Sequence, residues 1–329
     1  MPLPLDLVRR LESAKPADAW RSILDYAWDL FAKPVPGNLA ASEVMRRDRE
    51  SGAIDLFLAT AGFDLWASSR DTCLANSQAL ASWWLNNAPG RAVLILDGLS
   101  LREIPWILEA AGNQGYKIHS ARANLAELPP ETTPFAKALG FAQRSALEAN
   151  GAGGGEHSFQ GATTEAGNMP WAECVACIGS YTGFVLWHYW PDIRIHDPTG
   201  ASLESLAREA ADKLTCKDFW LLIQRLTMGR RLVITSDHGY AATGHFQNTE
   251  DPDQAKYLQQ HFSSGRSAGD GQPGPWIPPL DLRIDSAQGP HRMVLGRRKW
   301  KSPGGYPSLA HGGLSLLEVA VPFIDISRS

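Results

Sequence analysis

Apolar residues fall at helical spacing through much of the first ninety positions. LDLVRRLESA (Leu5–Ala14), DAWRSILDYAWDLFA (Asp18–Ala32) and DTCLANSQALASWWLN (Asp71–Asn86) place them three and four apart, which predicts amphipathic helices. Pro34, Pro36 and Gly37 mark the stretch between the second and third as a connection. At Arg91 the pattern changes. RAVLILDG is a continuous apolar run ending in Asp97-Gly98, as expected of a parallel strand buried on both faces. LREIPWILEAA (Leu101–Ala111) follows as a helix with Pro105 in its first turns, then YKIHSARANL (Tyr116–Leu125) as a second strand. Strand, helix, strand in that order predicts an α/β sheet.

Thr132–Ala149 again has a helical pattern. Gly151–Gly155 (GAGGG) and the polar residues to about Asn168 predict a mobile loop or part of a cap. FVLWHYW (Phe184–Trp190) reads as a strand and Ser202–Met228 as one or two helices. RLVITSDHG (Arg231–Gly239) repeats the pattern of a buried strand ending in titratable residues. Asn248–Pro279 predicts a surface excursion, and HRMVLGRRKW (His291–Trp300) a strand, before the closing HGGLSLLEVAVPFIDI.

Composition narrows the classes. The 329 residues, 44% hydrophobic and 20% charged, suit one α/β domain with insertions or two small domains. A net charge of −4 gives no global basic field, so a phosphate-bearing partner must be met by a local patch or by bound cations. Cys73, Cys174, Cys177 and Cys216 are too few for a disulfide framework and suit a reducing, cytoplasmic setting. The opening residues lack the order of a secretion signal, and no apolar run is long enough to cross a bilayer.

Titratable residues gather at the predicted strand ends. Asp97 ends one strand, and Asp192 and His196 lie four apart in WPDIRIHD. Asp237-His238 ends another, and His311 opens the final segment. In an open α/β sheet the carboxyl ends of strands meet at one crevice. Carboxylates with imidazoles suit Zn²⁺ or Mn²⁺ better than Ca²⁺. Singly, each has a plainer explanation as a turn or a solvated pair. Cys174-Val-Ala-Cys177 is half a zinc or redox motif without a second pair, which points to a structural role. GAGGG lacks the Lys-Ser/Thr ending of a phosphate loop. Arg297–Lys301 (RRKWK) is either a solvated basic face or, beside a metal cleft, a grip for a nucleic-acid backbone. His188, His245 and His291 have no spacing that makes them ligands.

LILDGLSLREIPWIL, LPPETTPFAKAL, WPDIRIH, ITSDHGY and AHGGLSLLEVAVPFI resemble the PglZ domain, a branch of the alkaline phosphatase superfamily, over about Ala92–Ile326. Ser-Asp-His-Gly and His-Gly-Gly…Glu…Pro-Phe are the most specific parts. The resemblance implies an α/β, alkaline-phosphatase-like three-layer sandwich with a central mostly parallel sheet. This domain would span 91–329, with cap or loop insertions at about 150–182 and 245–290, after an N-terminal helical region at 1–90 that the resemblance does not cover. It also implies two divalent metal ions, Zn²⁺ or Mn²⁺. Asp97, Asp237 and His238 would hold one, and Asp192, His196 and His311 the other. Ile195 stands before His196 where the family has a small residue. The implied nucleophile is a Thr or Ser at a helix start. Thr132 fits the LPxxT pattern, Thr133 is one register away, and Ser100 is a more distant candidate.

The implied reaction is attack by Thr132 on phosphorus, giving a phosphothreonine that water then hydrolyses, with metals lowering the hydroxyl's pKa. The implied function is a phosphodiesterase or nuclease acting on nucleotides, oligonucleotides or DNA, with other defence-system proteins as partners. A phosphomonoesterase, or a non-catalytic scaffolding subunit of an anti-phage defence complex, are the alternatives.

Overall fold

A computed structural model describes residues 3–86, 90–152, 155–197, 200–243, 249–302 and 308–328. The strands among them are β1 (Arg91–Leu96), β2 (Tyr116–Leu125), β3 (Thr163–Gly167), β4 (Gly183–His188), β5 (Arg231–Thr235), β6 (Ala241–Ala242), β7 (Ser267–Gly269), β8 (Asp281–Ser286), β9 (Gly289–Val294), β10 (Leu309–Ala310) and β11 (Ala320–Arg328). Six form a central sheet in the order β2-β11-β5-β1-β4-β3. β3, β4, β1 and β5 pair in parallel, while β11 runs against both β5 and β2. Five strands thus share one direction, and the fold is α/β with a mostly parallel sheet.

The apolar run of β1 follows from its place at the centre. Ala92, Leu94 and Leu96 enter one buried cluster, with Trp20, Ile107, Leu206 and Ile223 from covering helices. Val93 and Ile95 enter another, with Leu80 and Trp84 from helix Asn76–Asn86 and Phe135 from helix Thr132–Ala138. Helices cover both faces, so neither can alternate with polar residues. Register does the rest. Leu96 lies opposite His188, and Ile95 opposite Thr235, so β1, β4 and β5 leave the sheet side by side.

Several expected elements differ. The connection after Phe31 is short, because helices Ala40–Thr60 and Phe63–Thr72 occupy most of that stretch. The first escapes an apolar-periodicity reading because its buried stripe contains Arg47, Asp48, Ser51 and Asp55. Asp48 accepts from Arg102 Nε at 2.9 Å and from Arg297 Nη1 at 2.7 Å, and Asp55 accepts from Arg297 Nε at 2.6 Å. The helix expected over Thr132–Ala149 ends at Ala138. Gly140 follows with φ +92°, where a Cβ would lie 2.8 Å from the Glu156 carbonyl oxygen. Arg144–Asn150 then forms 3-10 turns broken at Glu148 and Ala149. The stretch to Asn168 is not all loop. Its TTEAG segment is β3, an edge strand too short and polar to announce itself and held by pairing with β4. Asn248–Pro279 contains helix Pro252–Phe262 and β7, which joins β9 and β8 in a small antiparallel sheet. Among the described residues no helix is long and apolar enough to cross a membrane.

Candidate metal centre

The turn after β1 builds the first part of the site. Asp97 N–H extends the β1–β4 ladder to His188 O at 2.9 Å, and Asp97 O accepts from Asp192 N at 2.9 Å. Gly98 turns the chain with φ +74°, and its N–H donates to Asp237 Oδ1 at 3.0 Å. A Cβ there would come within 3.2 Å of Ile195 and 3.3 Å of Asp192. The backbone thus binds the three acidic positions to one another before any cation is considered. Ser236 Oγ ties the β5 end in place, donating to Leu96 O at 2.9 Å.

Asp97, Asp237 and His238 are fully buried, and a ligand atom from each lies within 4.8 Å of the others. Asp192, His238 and His311 form a second such set. His196 belongs beside it, with Nε2 2.7 Å from His311 Nε2 and 3.3 Å from Asp192 Oδ1. All six expected ligands therefore meet, with His238 between the halves. Its Nδ1 faces Gly239 O at 2.9 Å, which turns Nε2 toward Asp237 Oδ2 at 3.4 Å and Asp97 Oδ1 at 3.6 Å. Its ring stacks on His311 with centroids 4.0 Å apart.

Electrostatics follow from packing three carboxylates together. Burial, then the charges of Asp237 and Asp192, push Asp97 well above the usual carboxylate range. Burial opposes charge on Asp192 too, but His196, His238 and His311 outweigh it and hold that carboxyl low. Burial works against charge on His238, yet Asp237, Asp192 and Asp97 raise it to about 9. His311 goes the other way, lowered by burial and by His238.

Does this donor set fit a divalent metal pair? Asp237 Oδ2 and Asp192 Oδ1 are buried and make no hydrogen bond of good geometry, His238 Nε2 at 3.4 Å and His196 Nε2 at 3.3 Å being their nearest ion-pair neighbours. A carboxylate oxygen without a donor is costly to bury unless a cation meets it. Carboxylate and imidazole donors fit Zn²⁺ or Mn²⁺, so the residues fit the expected group.

Thr132 faces this cluster. Its Oγ1 lies 3.4 Å from Asp97 Oδ1 and 3.4 Å from His238 Nε2. It is the first residue of its helix, Glu131 being the cap position, so its hydroxyl is not a cap. Thr133 is exposed. Ser100 Oγ is occupied elsewhere, accepting from Arg102 Nη1 at 3.0 Å and capping the turn at Leu101–Glu103.

Some contributors carried no motif. Trp187 Nε1 donates to Asp97 Oδ2 at 3.0 Å, and Arg144 Nη1 donates to the same oxygen. Trp187 was visible only as an apolar strand residue, and Arg144 only as part of a supposed helix. Glu318, five residues past Gly313, holds the final loop. It accepts from Gly313 N at 2.7 Å and from Arg266 Nε at 2.7 Å.

Other candidates lie apart. Arg297 is buried against Asp48 and Asp55, and Trp300 is buried too, so RRKWK does not offer a continuous basic face. Cys174 and Cys177 share helix Trp171–Cys177, and burial pushes the Cys174 thiol up to about 12, which makes it inert. His188 and His291 bond backbone carbonyls. His245, Gly153 and Gly154 lie outside the described residues.

No protein-family model matches this sequence, and no curated protein matches it. Two solved structures of murine ectonucleotide pyrophosphatase/phosphodiesterase 5 are similar to it. One, an inactive variant in complex with AMP, has 12% identity, and the other 13%. Each has a TM-score of 0.38 and covers 72% of this chain and 88% of its own. Similarity that low leaves the side chains around Thr132 to decide the chemistry.

Proposed function

We propose that this chain is a PglZ-type, metal-dependent phosphodiesterase or nuclease that uses Thr132 as nucleophile and takes nucleotides, oligonucleotides or DNA. The supporting observation is the Thr132 hydroxyl, 3.4 Å from both Asp97 Oδ1 and His238 Nε2 at the edge of two overlapping Asp/His sets. Asp97, Asp237 and His238 would hold one divalent cation, and Asp192, His196 and His311 the second. Bound cations supply Lewis acidity and charge neutralisation for phosphoryl transfer. The chain's own residues do the positioning. Gly98 N–H fixes Asp237, Gly239 O fixes the His238 tautomer, and Trp187 fixes Asp97. Thr132 Oγ1 bonds to phosphorus as the bond from phosphorus to the ester oxygen breaks, the hydroxyl's proton passing through solvent to the departing alkoxide; water then cleaves the phosphothreonine, returning a proton to Oγ1 and releasing the phosphate.

The test is hydrolysis of a chromogenic phosphodiester and its monoester analogue by metal-loaded protein. The diester should be the faster substrate. Thr132→Ala should lower kcat on the order of 10³-fold or more, and Thr132→Ser should keep part of the activity. A much faster monoester makes the protein a phosphomonoesterase. Hydrolysis unchanged in both Thr132→Ala and Asp237→Ala removes the catalytic reading and leaves a scaffolding subunit.

A further inference from the structure

Asn76 opens helix Asn76–Asn86, in the N-terminal region that the motifs do not reach. Its side chain is fully buried and bonded at both ends. Nδ2 donates to Thr235 Oγ1 at 2.9 Å and to Ser236 O at 2.8 Å, while Oδ1 accepts from Asn124 Nδ2 at 2.9 Å. Thr235 is the last residue of β5, and Ser236 stands immediately before Asp237. β5 pairs with β1 and β11 as far as Thr235, so the Ser236 carbonyl lies just past the ladder, and Asn76 gives it a donor. The amide can stand only one way round. Thr235 Oγ1 donates its proton to Pro322 O at 2.6 Å, so it accepts from Asn76. At the other end Arg122 Nε donates to Asn124 Oδ1 at 3.0 Å. A guanidinium has donors and no acceptor, so Asn124 turns its amino group to Asn76, and Asn76 turns its own to β5. The helix start has two further ties to the end of β2. Ala75 bridges Leu125, and Ser77 Oγ donates to Glu127 Oε1.

We propose that Asn76 is a positioning residue for Asp237 and His238, reaching the metal centre from the N-terminal helices through the Ser236 peptide. The proposal rests on the metal-dependent reading above. Asn76 touches none of the six ligands; its effect passes through backbone geometry. A peptide unit is planar, and the Ser236 carbonyl and the Asp237 N–H belong to the same one. The bond from Asn76 therefore fixes the plane from which the Asp237 Cα departs, and the Gly98 N–H then holds the carboxylate at 3.0 Å. Without Asn76 that plane is free to tilt, and a cation would have to gather Asp237 and His238 from a spread of orientations. An asparagine that served only to tie helix to sheet would add stability and leave metal affinity unchanged. The two roles separate in a binding measurement that involves no turnover.

The experiment uses the full-length chain as wild type, Asn76→Ala, Asn76→Ser and Trp83→Phe. Trp83 lies on the same helix, and its Nε1 donates to Asp325 Oδ2 of β11 at 2.8 Å. Asp325 stands opposite Val233, so Trp83→Phe also removes a buried helix-to-sheet bond, but short of the β5 end. Each protein is stripped with chelator and titrated calorimetrically with Mn²⁺ below its own melting transition. The Asn76 variants should bind Mn²⁺ on the order of ten- to a hundredfold more weakly than wild type. Trp83→Phe should bind it as tightly as wild type, although all three melt lower. Asn76→Ser keeps a polar group in the buried position and reports on the site if the Ala variant misfolds. Its oxygen is one bond from Cβ where the amide nitrogen is two, so it does not replace the bond to Ser236 O. Unchanged Mn²⁺ affinity in Asn76 variants that melt lower overturns the proposal and leaves the metal-dependent reading standing. Equal weakening in Trp83→Phe does the same, because the loss then follows helix docking in general. A wild type that takes up no Mn²⁺ or Zn²⁺ overturns that reading and the proposal with it.

Discussion

Both ring nitrogens of His188 are in use. Nε2–H donates to Met169 O at 2.8 Å, Nδ1 accepts from Trp190 N at 3.1 Å, and the ring packs on Trp171 with centroids 4.2 Å apart. Only the neutral ring can accept at Nδ1, and burial pushes its pKa from the ordinary 6.5 down to about 4. A folded-state pKa below the unfolded one gives stability that is present above the unfolded pKa and is lost as pH falls through the folded one. His188 should therefore contribute about 3 kcal/mol near neutrality and lose it between about pH 6.5 and 4. Urea midpoints across that window check it. The wild-type decline should be steeper than that of His188→Gln, and equal slopes would contradict the assignment. At the same scale, Arg144 and Trp187 show how a group can matter to Asp97 without spacing or motif to reveal it.

Helix Ala40–Thr60 shows an element stabilised by charge on its inner side. Asp55 accepts from Leu316 N at 2.6 Å and from Arg297 Nε at 2.6 Å; Arg102 bonds Asp48 and donates to Tyr240 O at 2.8 Å. The helix thereby bonds the start of helix Leu316–Val319, which follows the His311 loop, and through Arg102 is linked to the segment after His238. Removing one partner of such a buried network leaves a charge uncompensated, so Asp55→Ala should cost about 3–5 kcal/mol in chemical denaturation. Glu50, paired with Arg46 at the surface, should cost under about 1 kcal/mol when changed to Ala. A loss at Asp55 no larger than at Glu50 would show that the network contributes nothing. This helix also marks where sequence reading stops. β1, β4 and β5 were legible because strands covered on both faces are apolar throughout, and the Asp and His residues stand where those runs end. A stripe of Arg, Asp and Ser looks like a solvated face unless its partners are known, and for Asp48 these stand 54 and 249 residues away. The second half of the expected Thr132–Ala149 helix failed for a local reason, the positive φ at Gly140. The nucleophile candidates separated only through geometry, which faces Thr132 toward Asp97 and His238.

At the scale of the whole molecule, the site collects residues from five stretches: the ends of β1 and β5, the turn after β4, the start of helix Thr132–Ala138, and the loop before β11. Unfolding disperses them, so a metal held by this cluster would bind only the folded chain and should stabilise it by mass action, about 2.7 kcal/mol at a hundred times its Kd. Thermal melts should rise by several degrees on adding Mn²⁺ or Zn²⁺ to chelator-treated protein, and the rise should vanish in Asp237→Ala. Equal metal-induced shifts in both proteins would place the binding elsewhere.

The charged inner stripe of helix Ala40–Thr60 also separates two kinds of boundary. The motifs begin at about Ala92, so a fragment cut there would keep every residue named at the metal centre. It would also strip Arg102 of Asp48, and Arg297 of Asp48, Ser51 and Asp55. Two guanidinium groups would be left in the interior without their carboxylates. The shortest piece that keeps the candidate ligands is therefore shorter than the shortest piece that keeps its interior neutral, and expression designs should follow the second.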